Sequence, residues 1–503
     1  MQESAGGVGD GAPSSADALA CAAAPTVDAP VAAPPPRVEG MRAFAAVTVC
    51  YLLFTLTDGA LRMIVLFYAF QRGFSAWEVA IMFSLYEALG VVTNVAAGLA
   101  GARWGIRATL LCGLAAQLAS ILLLFGFDIP WGGGDERWKA LVYVTAAVGL
   151  GGVAKDLVKL GGKTVSKLVT PAEKQSRLFA TVAFLTGMKN SMKGVGYFVG
   201  AASLAASFHF ALALNGALIA LALPVAVLGL RADVGRARSK NLTLRTILAP
   251  APNVRALSLA RAFLFGARDL WFEVVLPFYL RDAQWGLGWS REVTGTFLAA
   301  FIIVYGQVQT AAPRALLRPL AQEPANKLVQ VLWNTLLTAV CIALTAVVLA
   351  PSGAFAAHDV GSMTAALMAL LGAFCFVFAV NSSVHSYLIV RYSAGDKVAA
   401  DVGFYYMSNA VGRFVGTLVS GALYEWSAGR DKTAAMGWCF FSSALFSAAS
   451  TALTMRIDDQ QAGLACGGCR CVRHGGEDEQ SRKAAGEGAA AATGEGAAAA
   501  TAE

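Results

Sequence analysis

Charged side chains lie inside several long apolar segments of this sequence. Asp58 and Arg62 are four residues apart, so on a helix they share one face and can form an ion pair. Lys189 and Lys193 have the same spacing in a later segment. Two ammonium groups on one helix face repel each other unless a negative group lies near both. The spacing therefore predicts either an anion-binding surface or pairing with an acid such as Asp58 on a neighbouring helix.

A second basic stripe ends another apolar segment. Lys155, Lys159 and Lys163 recur every four residues, and Asp156 is close enough to Lys159 on a helix to pair with it. Lys163 and Lys167 are nearer the end of the segment, where lysines extend to lipid phosphates. Lys155 is deeper, so we expect it to face a cavity.

The second half of the chain carries its own buried charges. Asp269 and Glu273 share a helix face, and Arg268 directly precedes them. Arg413 lies in the run Gly412–Gly416, where small residues let helices approach closely. These groups can pair with one another or line a wet cavity.

Ionisable side chains inside membrane spans are candidates for functional residues. An ionisable side chain at the middle of a span costs at least about 2.5–3.5 kcal/mol unless it is paired or hydrated. Basic residues dominate the first half, and they suit phosphate and carboxylate groups, so we expect an anionic cargo. The expected substrate-binding residues are Arg62, Lys155, Lys189, Asn190, Lys193 and Arg268. The expected coupling or gating residues are Asp58, Glu87, Asp156, Asp269, Glu273 and Arg413.

Three other polar residues are interpreted as structural. Arg261 is expected to mark only the end of its segment, and Asn381 and His385 are expected to be core groups whose hydrogen bonds are satisfied.

Of the coupling candidates, Glu87 or Asp58 could link transport to protons by changing its protonation state.

The elements that carry these residues are predicted to be membrane-spanning helices. The chain is 57% hydrophobic and only 14% charged, against about 25% charged in soluble domains. Its apolar blocks are about 20 residues long, enough for a helix to cross a bilayer. The predicted spans are 43–70, 77–101, 106–127, 139–161, 178–203, 207–230, 257–280, 292–312, 328–350, 362–391, 399–425 and 434–456.

A basic interval divides the spans six and six. We predict a disordered N-terminal tail (1–40), an N-terminal six-helix half (41–230), a basic cytoplasmic loop (231–256), a C-terminal six-helix half (257–456) and a disordered, low-complexity C-terminal tail (457–503). Two six-helix halves joined by such a loop are the layout of the major facilitator fold. The fold class is therefore an all-α membrane protein.

Two further patterns support this layout. Loops after even-numbered spans hold more Lys and Arg, which predicts that they and both termini are cytoplasmic. We expect the plasma membrane as the location. At one fixed offset Asp58 in the first span aligns with Asp269 in the seventh, and Gly196–Gly200 in the fifth span resembles Gly412–Gly416 in the eleventh.

Signatures of other protein classes are missing from the sequence. The run Leu160–Thr164 ends like a phosphate-binding loop but lacks the upstream glycine, and no zinc spacing occurs in the apolar body. No basic stripe with interleaved aromatics suggests nucleic acid. We expect no enzyme activity, no cofactor and no metal site, with transport driven by a gradient.

Five blocks of the sequence resemble the ArsJ-type organoarsenical efflux family. They spread over both halves, roughly residues 41–456. The blocks are Phe54–Met63, Gly90–Asn94, Ala154–Leu157, Leu185–Gly196 and Phe263–Trp271. The resemblance implies a major facilitator exporter of 1-arseno-3-phosphoglycerate that confers arsenate resistance together with a glyceraldehyde-3-phosphate dehydrogenase.

The sequence also departs from the pattern expected of such transporters. The loop motif after the second span has Ala102 where an acid is usual, which puts the usual gating salt bridge in doubt. In the tail, Cys466, Cys469 and Cys471 could bind a thiol-seeking metalloid or be palmitoylated, although a solvated tail is the favoured interpretation.

Two alternatives to arsenical export remain. One is a major facilitator transporter of another organic anion such as a sugar phosphate. The other is a membrane sensor or scaffold that uses the tails, which is disfavoured because a scaffold needs no buried cations. A neighbouring or fused glyceraldehyde-3-phosphate dehydrogenase gene would favour arsenical export over the sugar phosphate.

Overall fold

The structure is a computed structural model of the chain. It describes residues 37–128, 136–169, 175–230, 249–284, 286–349, 360–393, 398–426, 432–459, 464–466 and 469–472. Most of the predicted N-terminal tail (1–40), central loop (231–256) and C-terminal tail (457–503) lies outside these residues.

Helices occupy all twelve predicted spans. They are α1 (Arg37–Gln71), α2 (Ala76–Leu124), α3 (Glu136–Val169), α4 (Gln175–Ala206), α5 (Phe208–Gly229), α6 (Pro252–Asp269), α7 (Val275–Arg281), α8 (Arg291–Ala311), α9 (Lys327–Leu349), α10 (Val360–Tyr392), α11 (Val398–Trp426) and α12 (Lys432–Met455). Within the described residues, nine helical segments are long and apolar enough to cross a membrane. The other three predicted spans, α4, α6 with α7, and α11, carry buried charges of the cavity described below. The chain is a multi-pass α-helical membrane protein.

The second and third predicted spans are two helices that meet at Gly105, and the label α2 covers both. Gly105 inside α2 has φ 84° and ψ 169°, which is not helical. A positive φ is readily adopted only by glycine. The loop predicted between residues 101 and 106 is therefore confined to a turn at this glycine.

The seventh predicted span is interrupted. α6 ends at Asp269, α7 begins at Val275, and residues 270–274 between them form turns. Pro277 explains the break, because it has no N–H for the carbonyl of Glu273 and its ring would clash with that carbonyl in a continuous helix. Glu273 is thus held in irregular backbone, as occurs at the binding sites of many transporters.

Equivalent glycines bring matching helices together in the two halves. A Cβ on Gly196 of α4 would collide with the carbonyl oxygen of Leu56 on α1. A Cβ on Gly412 of α11 would collide with the carbonyl oxygen of Ala262 on α6. The contacts α1–α4 and α6–α11 therefore repeat between the halves, as the internal sequence repeat predicts.

The two halves contact each other mainly through α4 with α8 and α2 with α11. Glycine again permits the approach: a Cβ on Gly187 of α4 would collide with the backbone of Gly306 and the hydroxyl of Thr310 on α8. A Cβ on Gly421 of α11 would lie 2.6 Å from the Cβ of Ala80 on α2. These pairs form the two seams of the interface.

The start of the predicted C-terminal tail is folded. Asp459 accepts hydrogen bonds from Arg391 (3.2 Å), the Tyr392 hydroxyl (2.6 Å) and the backbone N–H of Lys327 (3.1 Å). Beyond it, strands β1 (Leu464–Cys466) and β2 (Cys469–Val472) form an antiparallel hairpin. Disorder was predicted from the polar composition of the tail, but its first residues are held by polar partners from α9 and α10.

Candidate functional site

A cavity of about 120 Å³ lies between the two halves, with room for several water molecules. Its lining comes from α1, α2, α3, α4, α6, α8, α10 and α11, in the parts of these helices nearer the N-terminal end of α1. We call that end of the molecule the terminus side and the opposite end the far side. The basic residues that line the cavity are Lys155, Lys159, Lys189, Lys193, Arg261, Arg268 and Arg413. The acidic ones are Asp58, Glu87 and Asp156.

Glu273, in the break between α6 and α7, lies at the centre of a buried ion-pair network. Its carboxylate is 2.7 Å from Arg62, 3.1 Å from Arg413, 3.3 Å from Arg268 and 3.6 Å from Lys193. Arg62 and Lys193 belong to the N-terminal half, so this one carboxylate connects the two halves.

Glu87 of α2 makes the reciprocal connection. It lies 2.9 Å from Arg413 of the other half, 3.3 Å from Arg62 and 3.6 Å from Lys155. Removing one member of such a buried set leaves the others uncompensated, which costs about 3–5 kcal/mol. The network therefore stabilises the present arrangement of the halves.

Asp269, the last residue of α6, fixes the arginine of α11. Its carboxylate accepts a hydrogen bond from Nε of Arg413 at 2.7 Å and another from Nε of Arg268 at 2.6 Å. The side chain is fully buried. Arg413 thus contacts all three carboxylates and is the most highly connected cation among the described residues.

The network follows the internal repeat. Arg62 and Glu273 are 211 positions apart, the same offset that relates Asp58 to Asp269. Equivalent positions of the two halves thus hold opposite charges and bind each other across the interface. Simple duplication of one half would place like charges there.

Asp58 is not paired as its spacing suggested. Arg62 extends to Glu87 and Glu273, while Asp58 accepts a hydrogen bond from the Tyr86 hydroxyl at 2.5 Å. The i, i+4 pair was an open alternative, and the tertiary partners of Arg62 replace it.

Asp156 does pair with Lys159, at 3.7 Å, and also accepts a hydrogen bond from Thr93 at 2.6 Å. Lys159 donates to Asn94 at 3.1 Å, and its ammonium lies 3.9 Å from the centre of the Tyr406 ring. The predicted Asp156–Lys159 pair is confirmed, and it lies in the cavity wall.

Two of the three predicted polar residues of α4 differ in their contacts. Lys189 lines the cavity, and Asn190 donates a hydrogen bond to Gln309 of α8 at 2.7 Å. Gln309 in turn donates to Ser382 at 3.2 Å. Asn190 therefore also contributes to the seam between the halves.

The far side of the cavity is closed by apolar packing between the halves. Phe70 of α1 and Phe278 of α7 stack edge to face, with ring centres 5.2 Å apart. Gly295 of α8 packs against Ala201 of α4, and Phe67 is fully buried beside them. Among the described residues, this packing separates the cavity from the far side.

The wall of the cavity carries excess positive charge. Three further charges, Arg62, Asp269 and Glu273, contact the charged lining residues. Together with the lining, the described residues contribute eight cations and five acids at this site. The arrangement suits an anionic group better than a cation.

Five of the six predicted substrate-binding residues line the cavity, and Arg62 lies beside an adjoining smaller one. Substrate contact by any of them stays a prediction. Arg261, expected only to mark the end of its segment, lines the same cavity. It precedes Arg268 by seven residues, about two helical turns, and this spacing places both arginines on the same face of α6. The spacing was therefore the sequence feature that could have identified Arg261.

Asn381 and His385 of α10, both interpreted as structural residues, differ in their hydrogen bonding. Asn381 is satisfied as expected, because it donates to the carbonyl of Trp333 at 2.8 Å and accepts from Gln330 at 2.8 Å. Neither ring nitrogen of the buried His385 has a hydrogen-bond partner among the described residues, and a satisfied histidine stays a prediction.

Comparison with known proteins supports the architecture. No protein-family model matches the chain, and no curated protein matches it. The chain is similar in structure to a bacterial homologue of the iron transporter ferroportin in its outward-facing state, at TM-score 0.58 and 16% sequence identity. The same homologue with soaked iron gives TM-score 0.57, also at 16% identity. Each match covers 82% of this chain and 98% of the other. The chain therefore has the major facilitator fold of these transporters.

Proposed function

We propose that this chain is a secondary transporter that exports a small organic polyanion. The observation that carries the proposal is the cavity between the halves: its wall and the charges in contact with the wall comprise eight cations and five acids among the described residues. Positive charge at membrane depth is costly and persists where it serves a ligand or a pathway.

Lys155 and Lys193 are farther from their carboxylate partners than the arginines of the network are. Arg62 and Arg413 hold the carboxylates at 2.7–3.3 Å, whereas Lys193 and Lys155 lie 3.6 Å from theirs. A phosphate or carboxylate in the cavity could draw these flexible ammonium groups towards itself.

The most specific cargo we propose is 1-arseno-3-phosphoglycerate, from the resemblance of the five sequence blocks to ArsJ-type exporters. A glyceraldehyde-3-phosphate dehydrogenase would be the functional partner, and protons would be the coupling ion. We further propose that the protein lies in the plasma membrane with both termini in the cytoplasm. In that orientation the cavity lies on the cytoplasmic side, where such a cargo is made.

The iron carried by the structurally similar transporter is a second cargo to consider. Here the cavity wall is net positive, and Glu87, Asp269 and Glu273 are each held by arginine. A metal cation would have to displace these guanidinium groups and enter a repulsive field. The charge balance therefore favours an anion.

Arsenate survival tests the cargo. An arsenate-sensitive host would express the chain with and without the dehydrogenase, and we expect protection only when both are present. Protection independent of the dehydrogenase would refute the arseno-ester, while a sugar phosphate transporter would give no protection in either case.

Two substitutions test the site. We expect Lys189→Ala and Lys193→Ala each to abolish export while the protein still reaches the membrane, because each removes a cation from the cavity wall. Lys139→Ala, at an exposed lysine of α3, is the matched control and should export normally. Membrane fractionation and cellular arsenic content provide the readouts, and normal export by both cavity variants would remove these lysines from the pathway.

A further inference from the structure

Buried polar atoms without partners cluster in the C-terminal half beside the cavity. They are Nη1 of Arg261, both ring nitrogens of His385, the hydroxyl of Tyr405 and the hydroxyl of Ser258. None of these atoms has a hydrogen-bond partner within the part of the chain that the structure describes. Buried polar groups in proteins are almost always satisfied, so this cluster requires an explanation.

The cluster is compact and centred on Arg261. The guanidinium carbon lies 3.7 Å from the centre of the Phe265 ring and 5.1 Å from that of Tyr405. The ring of His385 is 6.3 Å from the Tyr405 ring. The guanidinium donates one hydrogen bond, from Nε to Asn409 at 3.1 Å. Three helices, α6, α10 and α11, supply these groups.

Arg261 differs from the other buried arginines of the cavity. Arg268 and Arg413 each contact Asp269 and Glu273. Arg261 is only 4% exposed, and no carboxylate of the described residues lies within ion-pair distance of it. A buried guanidinium with an amide and two aromatic rings as its neighbours lacks the negative group that such a charge requires.

Water alone does not account for this cluster. A bound water satisfies hydroxyl and imidazole groups, but it supplies no charge to balance the guanidinium. An oxyanion does both, because a carboxylate or phosphate accepts two parallel hydrogen bonds from arginine and further ones from neighbouring donors. Arg261 lines the cavity, so an oxyanion in the cavity can reach Arg261, while Tyr405 and His385 are fully buried and do not line it.

We propose that Arg261, with Tyr405 and His385, forms a second anion subsite in the C-terminal half. This inference rests on the proposed function and narrows it: the cargo is a small organic molecule with two oxyanion groups. One group binds near Lys189 and Lys193 of the N-terminal half, and the other binds Arg261.

Two stable ligands that differ by one carboxylate test the subsite. 3-Phosphoglycerate carries a phosphate and a carboxylate, and glycerol 3-phosphate carries the phosphate alone. Their dissociation constants would be measured by equilibrium dialysis against the purified full chain in lipid nanodiscs. For the wild type we expect tighter binding of 3-phosphoglycerate.

Arg261→Gln should weaken 3-phosphoglycerate binding about 10- to 100-fold, the range of one charge-assisted hydrogen-bonded contact. Glycerol 3-phosphate binding should change less than about threefold, within the usual effect of a lost neutral contact. Arg314→Gln, at an exposed arginine after α8, is the matched control and should leave both constants unchanged.

Tyr405→Phe provides a milder second variant in case Arg261→Gln misfolds. It removes one hydroxyl and should weaken only 3-phosphoglycerate, by about 2- to 10-fold. If Arg261→Gln and Tyr405→Phe weaken neither ligand, or weaken both equally, the subsite is refuted while the proposed transport of anions stands. If the wild type binds neither ligand, the proposed function and the subsite fail together.

Discussion

Replacement of Glu273 by Gln would remove one negative charge from the centre of the ion-pair network while keeping its shape. Four cations lie 2.7–3.6 Å from this carboxylate. At an effective dielectric constant of 20, each such pair attracts by at least about 4 kcal/mol, most of which offsets desolvation. The net loss expected when one partner of a buried set disappears is about 3–5 kcal/mol.

This loss should fall on the contact between the halves. Arg62 and Lys193 are in the N-terminal half, and Glu273 is in the C-terminal half. Opening of the far side must separate them, so their attraction favours the closed far side. Since 1.4 kcal/mol is a factor of ten, a loss of about 3–5 kcal/mol in Glu273→Gln should raise the open population by about two to three and a half orders of magnitude.

Cysteine labelling measures that population. Ala201 of α4 is buried against Gly295 at the far side, and Ala201→Cys would react with a maleimide only when the halves part there. Peptide mass spectrometry would follow labelling at position 201 in nanodiscs, with and without Glu273→Gln. We expect at least a tenfold faster reaction and a lower unfolding temperature in the double variant.

Glu292→Gln is the matched control. Glu292 also pairs with an arginine, Arg291 at 2.8 Å, but its side chain is 55% exposed. Exposed pairs contribute about 0–1 kcal/mol, so this variant should label and unfold like the parent. Equal labelling rates and equal unfolding temperatures for Glu273→Gln and Glu292→Gln would refute the role of the network in holding the far side closed.

Two further substitutions test packing. Gly187→Ala should destabilise the chain by about 1–3 kcal/mol, because its Cβ would collide with α8. Gly372→Ala is the control: a Cβ there would have no atom within 4 Å, so the change should be neutral or stabilising by up to about 1 kcal/mol. Thermal unfolding measures both, and equal unfolding temperatures would contradict the close approach of α4 and α8. Asp459→Asn should lower the unfolding temperature, because it weakens the charge-assisted hydrogen bond from Arg391 at a cost of about 1–3 kcal/mol. The control Asp458→Asn, at an exposed aspartate, should leave the unfolding temperature unchanged. If Asp459→Asn also left it unchanged, the folded tail segment would add no stability.

Much of the architecture could be predicted from local pattern. Apolar length located the helices, and Ser207, which caps α5 through the N–H of Phe210, is the first residue of the sixth predicted span. The interruption of the seventh span was not predicted, although Pro277 signals it. Proline at the third position of a helix is unremarkable by itself, so its effect on the preceding turn is clear only with the fold.

The burial of charges in the membrane can be predicted from the amino-acid sequence alone, because apolar length and charge position are both local properties. The two-half layout can be predicted in the same way, because the glycine and aspartate repeats keep a regular spacing along the chain. Which charges neutralise one another depends instead on how the helices pack. Arg62 could have paired with Asp58 one turn away, but Glu273, 211 positions distant, is its partner. Ion pairing depends on separations of a few ångströms, and only the packed helices bring groups from opposite halves of the chain that close together.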